Sequence, residues 1–131
     1  MFDNPNFDNH EAVTFVSDEA SGLQAIVAVH NTNRGPSLGG CRVWTYDSPD
    51  AAVTDALRLS RGMTYKNAMA ELPLGGGKSV MLMPRGGRKT PAMFEALGHA
   101  IERLSGSYIA AEDVGSTPDD MLAIRHHTRH V

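Results

Sequence analysis

Three consecutive glycines, Gly75-Gly76-Gly77, lead into Lys78 and Ser79. The run invites comparison with a phosphate-binding loop. That motif needs a glycine six residues before the lysine, and Leu72 stands there. The order of elements is also reversed, because a phosphate loop runs from strand to helix and this segment runs from helical to strand patterning. What remains is a lysine beside three residues without side chains, where backbone or a ligand can approach closely. Lysine is rarely buried without a partner. Burial strips hydration from an ammonium and favours the neutral amine, which serves as a general base near pH 7. The plain alternative is a surface lysine at a strand edge.

Lys66 lies twelve residues earlier, in a helical pattern with Met63 and Asn67. If that helix packs on the sheet, Lys66 approaches Lys78, and two ammonium groups together attract a carboxylate. Otherwise it is a solvated helix lysine. Glu112-Asp113 follows a short apolar strand pattern. Sites in parallel sheets form outside the carboxyl ends of strands, which places Asp113 to act as an acid or base. The alternative is an acid flanking the helix start at Thr117. His126, His127 and His130 cluster near the C-terminus, with His126 and His130 four residues apart on a helix, at metal-ligand spacing, but no carboxylate or third ligand is local. A solvated terminal turn is the competing reading, and no metal is expected.

The elements that must position these residues follow from periodicity and punctuation. Residues 13–16 and 23–29 read as paired strands around a turn at residues 18–22. Residues 31–40 read as a loop, through Gly35-Pro36 and Gly39-Gly40, and residues 41–46 as a third strand. Ser48-Pro49-Asp50 opens a helix that runs to about Ala70. The three glycines read as a flexible loop before a buried strand over residues 79–83, stopped by Pro84. Thr90-Pro91 starts a second helix, ending near Gly106; residues 108–111 form another strand; Thr117-Pro118 starts a last helix. Alternating strands and helices after an initial hairpin predict an α/β fold. The expected architecture is three-layer α/β/α around a mixed, mostly parallel sheet.

Length and composition bound the function. The 131 residues suit one domain, and 41% hydrophobic with 21% charged residues suit a soluble globular chain. A net charge of −3 offers no basic excess for nucleic acid or an anionic membrane surface. The single cysteine, Cys41, excludes an intrachain disulfide. The first residues lack the basic and apolar stretches of a secretory signal. A cytoplasmic protein is the default expectation.

Four blocks carry a resemblance. They are Gly35-Pro36-Ser37-Leu38-Gly39-Gly40-Cys41-Arg42, the stretch from Ala56 through Met63-Thr64-Tyr65-Lys66-Asn67 to Ala68, Leu74-Gly75-Gly76-Gly77-Lys78, and Ala111-Glu112-Asp113-Val114-Gly115. In this order and spacing the chain, from about Ser17 to Val131, resembles the amino-acid dehydrogenases of the glutamate, leucine, phenylalanine and valine group. The wording of the blocks is most like the leucine and phenylalanine enzymes.

The resemblance implies roles. Lys78 matches the catalytic lysine that assists the water attacking an imine. Asp113 matches the aspartate that exchanges protons with the amino group and water. Lys66 matches the lysine that binds the substrate α-carboxylate. Gly39, Gly40 and Met63 match residues lining the substrate site, and Ala111 offers a small wall. Where the glutamate branch carries a lysine, this chain carries Leu38. A leucine cannot neutralise a buried carboxylate, so an apolar substrate is expected: leucine, valine, isoleucine or phenylalanine.

The implied reaction is reversible, NAD-dependent oxidative deamination to a 2-oxo acid and ammonia, by a homo-oligomer. Residues 1–131 match the substrate-binding, catalytic and dimerisation domain. The Gly-x-Gly-x-x-Gly mark of a dinucleotide-binding domain does not occur in them. The chain alone is therefore expected to be inactive, as part of a two-domain enzyme. The competing expectation is a non-catalytic amino-acid-binding or oligomerisation module derived from that family. Retention of both Lys78 and Asp113 weighs against it, since a binder needs no general base.

Overall fold

The computed structural model describes residues 1–131. Strands β1 (Ala12–Asp18) and β2 (Leu23–Asn31) form the expected hairpin, with Ala12 opposite Val29 and Asp18 opposite Leu23. Then come β3 (Ser37–Trp44), α1 (Pro49–Met69), β4 (Gly75–Leu82), α2 (Pro91–Glu102), β5 (Tyr108–Glu112) and α3 (Pro118–Arg125). All three helices start as their sequences dictate. Ser48, Thr90 and Thr117 cap them by accepting from the backbone N–H of Ala51, Met93 and Asp120, and each is followed by proline. No helix is long and apolar enough to cross a membrane.

The sheet order is β1-β2-β4-β3-β5. β2 is antiparallel to β1 and to β4, whereas β3 is parallel to β4 and to β5. Only β2 runs against the others, so the sheet is mixed and mostly parallel, as expected. Successive residues of β2 serve opposite layers: Leu23, Ala25, Val27 and Val29 enter a core with α2 and α3, and Ile26 and Ala28 a second core with α1. That double burial explains why β2 reads as one apolar run.

Residues 1–11 tie down α1 from outside. Asn4 donates to the Thr54 hydroxyl at 3.1 Å, and His10 Nε2 lies 2.9 Å from the Leu57 carbonyl. Buried His30 bridges Thr64 of α1 (2.7 Å) and Asp8 (2.9 Å).

Four expectations fail in instructive ways. The loop expected over residues 31–40 ends at Pro36, because Gly39 and Gly40 lie inside β3. The glycines of residues 75–77 form the first half of β4 and are buried, not a flexible loop. Close packing is the reason in both cases. A Cβ on Gly76 would stand 2.1 Å from the Thr64 nitrogen of α1, so glycine there lets the helix rest on the strand. Lys78 accordingly sits within the strand and not just before it. The second helix ends at Glu102, short of Gly106, because Ser105 and Gly106 both turn to positive φ. The last helix stops at Arg125, so His126 and His130 are not successive turns of one helix. The backbone N–H of Ala110 captures the His130 carbonyl at 3.1 Å and draws the chain end along β5.

Candidate active site

Alternation along three parallel strands builds the site. Gly76, Lys78 and Val80 of β4 share the α1 side of the sheet, as do Leu38, Gly40 and Arg42 of β3 and Ala111 of β5. Helix α1 packs on β2 and β4 and touches β3 only lightly. The β3–β5 half of that face is left as a cleft of about 620 Å³. Its walls include Leu38, Gly39, Gly40, Met63, Lys66, Lys78, Ala111 and Asp113. Every site residue expected from the sequence therefore meets in one place.

The centre of the cleft is an ion pair. Lys78 Nζ lies 2.7 Å from Asp113 Oδ2, with side chains 7% and 23% exposed. The buried lysine is thus partnered and is not a surface lysine at a strand edge. Glycine at 40 makes the pair possible: a Cβ there would stand 2.6 Å from the Asp113 Cβ. Beyond the carboxylate, the Ser116 hydroxyl accepts from the Asp113 N–H at 2.9 Å and donates to the Cys41 carbonyl at 2.7 Å, fixing the turn after β5.

Partial burial works to raise the Asp113 carboxyl. The hydrogen bond and charge of Lys78 outweigh it, with help from the Val114 N–H and the Arg42 guanidinium, and the carboxyl is held below its ordinary value. Lys66 lies on the exposed side of α1 and has no ion-pair partner. It offers the cleft an uncommitted cation. Leu38, Leu59, Met63, Met69 and Ala111 supply apolar wall.

Sequence reasoning missed a second charged group on the same face. Arg42 Nε is 3.3 Å from Asp113 Oδ2, and its Nη1 is 3.3 Å from Asp55 Oδ2. Asp55 also accepts from the Tyr46 hydroxyl (2.6 Å) and from Arg58 (2.8 Å). Burial, then the Asp55 carboxylate, pushes the Tyr46 phenol far up, so it stays a donor at neutral pH. Two signals were present in the sequence. Arg42 is two residues from Gly40 on a strand, and Asp55 and Arg58 are three apart on a helix.

The glycines and Asn67 brace the cleft from below. Asn67 Nδ2 donates to the Gly75 carbonyl at 2.8 Å and the Leu38 carbonyl at 3.3 Å, fastening α1 to β4 and β3. On the opposite face the Tyr108 hydroxyl donates to the Gly39 carbonyl at 2.8 Å and lies 2.8 Å from the Ser79 hydroxyl. Cys41 is fully buried and its thiol is pushed up to about 11 by burial, so it is no nucleophile. The histidines near the C-terminus lie elsewhere. His127 stacks on His99 at 3.8 Å between ring centroids, and its Nε2 is 3.1 Å from Glu95.

Residues 10–130 match the model of a family described as Glu/Leu/Phe/Val dehydrogenase, dimerisation domain. A leucine dehydrogenase of Bacillus cereus is 55% identical over 123 residues, covering 94% of this chain and 34% of that protein. A phenylalanine dehydrogenase of Lysinibacillus sphaericus is 45% identical over 123 residues, 94% of this chain and 32% of its own length. Among solved structures, L-tryptophan dehydrogenase from Nostoc punctiforme superposes with a TM-score of 0.88 at 42% identity, covering 93% of this chain and 36% of that one. The chain thus spans about a third of the length of the relatives it matches.

Proposed function

This chain belongs to the Glu/Leu/Phe/Val dehydrogenase family through its dimerisation domain, and on that premise we propose that it forms the substrate-binding and catalytic part of an enzyme that oxidatively deaminates an apolar L-amino acid. The observation that carries this reading is the Lys78–Asp113 pair at 2.7 Å in a cleft that the unpaired Lys66 also lines.

Lys66 takes the α-carboxylate of the substrate. Leu38, Met63 and Ala111 receive its side chain, and a leucine at position 38 has nothing with which to neutralise a side-chain carboxylate. Hydride removal from the α-carbon leaves an imine. Lys78 passes a proton to Asp113 across their 2.7 Å contact and then takes one from the water that attacks the imine carbon. Asp113 exchanges protons with the departing nitrogen, and the short contact between the two groups passes the proton from one to the other. The products are a 2-oxo acid and ammonia.

The hydride acceptor of this reaction is NAD. No segment of the chain has the Gly-x-Gly-x-x-Gly spacing that would cradle a dinucleotide, so these residues do not fit it. The chain's own residues bind, orient and move protons. The reading also includes a homo-oligomer. It is supported by the family's description as a dimerisation domain and by the unpaired edge of β1, where Phe15 is 62% exposed.

A chimera tests the reading. These 131 residues replace the corresponding third of the Bacillus cereus leucine dehydrogenase, and leucine-dependent NAD reduction is assayed with light scattering on the same sample. The expected result is an oligomer active on apolar amino acids and not on glutamate. Lys78→Ala should lower kcat by roughly 10²–10⁴-fold, the usual worth of a general base. A folded chimera that binds leucine through Lys66 but turns over nothing would instead favour a non-catalytic module.

A further inference from the structure

We propose that Arg42 is a positioning residue, which grips Oδ2 of Asp113 and thereby leaves Oδ1 as the oxygen that exchanges protons in the cleft. The inference deepens the dehydrogenase reading and rests on it for the identity of the proton's partner.

Both cations that reach Asp113 choose the same oxygen. Lys78 Nζ is 2.7 Å and Arg42 Nε 3.3 Å from Oδ2, while Oδ1 has no side-chain partner. A carboxylate held by one cation can rotate and exchange its oxygens. Two donors arriving from different strands remove that freedom. Lys78 comes from β4 and Arg42 from β3, with Asp113 just past β5.

Arg42 is itself fixed at its far end. Its Nη1 is held by Asp55 Oδ2 at 3.3 Å, and Asp55 is steadied by the Tyr46 hydroxyl at 2.6 Å and Arg58 at 2.8 Å. The side chains of Arg42 and Asp55 are only 23% and 16% exposed, so the grip is shielded from water. The task needs a guanidinium, whose fork presents Nε and Nη1 to two carboxylates at once. The point charge of a lysine cannot span them. Asp113 is faced by Lys78 from β4 and Arg42 from β3. Asp55 and Arg58 of α1 reach it through Arg42, and Lys66 and Glu112 share the cleft.

A carboxyl-detected NMR titration of Asp113 in the 131-residue chain separates positioning from mere proximity of charge. The decisive variant is Asp55→Asn. If Arg42 were only a nearby cation, removing the Asp55 charge would make Asp113 more acidic or leave it unchanged. If Arg42 must be anchored, Asp55→Asn frees it and the Asp113 midpoint moves up. Arg42→Lys should move it up as well, failing to rescue the native titration. Tyr46→Phe leaves every charge in place and loosens the Asp55 anchor, so a smaller upward shift is expected even if Asp55→Asn does not fold. An Asp113 midpoint that stays put or falls in Asp55→Asn, or in Tyr46→Phe where that is the variant that folds, overturns the proposal. No substrate enters the titration, so that outcome would leave the dehydrogenase reading standing. An inactive chimera would remove that reading and leave the titration result intact.

Discussion

The face of the sheet covered by α2 and α3 closes over one core of fifteen buried hydrophobic residues, whereas the face covered by α1 holds a core of five. The first face spends its area on Phe94, Leu97, Ile101 and Ile124 against Met81, Tyr108 and the odd-numbered residues of β2. The second gives much of its area to Lys78, Asp113, Arg42 and Asp55. Each buried charge loses hydration that its partner only partly restores, so the second face adds little to stability. The molecule separates its labour: one side holds the chain together and lets the other keep a charged, half-open cleft.

The largest effect should come from the closed face. Phe94→Ala removes a wholly buried ring and should cost about 3–5 kcal/mol in urea unfolding. An exposed position such as Leu122 should change stability little. A comparable loss from the two would mean that the fifteen-residue core is not the main support.

A smaller effect should come from the seam between α1 and β4. Gly76→Ala places a methyl group on the Thr64 backbone and should cost about 1–3 kcal/mol by forcing the helix outward. Because α1 carries Lys66 and Met63, the same variant should weaken 2-oxo acid binding in calorimetry, while Phe94→Ala at a temperature where it remains folded should not. Equal losses of binding would erase the distinction between the faces.

The smallest effect is a pH dependence on the α1 side. Burial holds the His10 imidazole below its ordinary value, so the unfolded chain binds the proton first. Stability should therefore fall as pH drops below about 6.5. Asp55 and Asp113 are held below the usual carboxylate range, Asp55 despite burial and through Tyr46, Arg58 and Arg42. Their contribution is present above about pH 4 and is lost as pH falls through their folded values. Urea midpoints at several pH values check the sign. His10→Gln should flatten the first limb, and Phe94→Ala should shift the whole curve without changing its shape.

Much of this was legible in the residue order. Ser48-Pro49, Thr90-Pro91 and Thr117-Pro118 placed every helix start, because capping is a local hydrogen bond that four residues decide. The hairpin was visible because β2 is apolar on both faces. The glycine strands were not legible. Gly39-Gly40 and Gly75-Gly76-Gly77 have turn chemistry locally, and only contact with Thr64, Asp113 and the neighbouring strands makes glycine necessary in a sheet. Lys78 was singled out by the glycines beside it, Lys66 by its place on the helix, Asp113 by its strand-end position, and all three by the family blocks. Arg42 and Asp55 were missed because a surface arginine and a helix aspartate look ordinary until folding brings residues 42 and 113 together, 71 positions apart.

That separation also says when the site comes into being. β4 is complete at Leu82, but Asp113 follows β5, which must dock beside β3 after α2 has crossed over. Until then the Lys78 ammonium lies on the sheet with no carboxylate opposite it. Emergence from the ribosome delivers the lysine well before its counter-ion. Docking of β5 thus adds an electrostatic reward to a costly long-range closure, so the last strand to arrive both finishes the sheet and neutralises the charge waiting inside it.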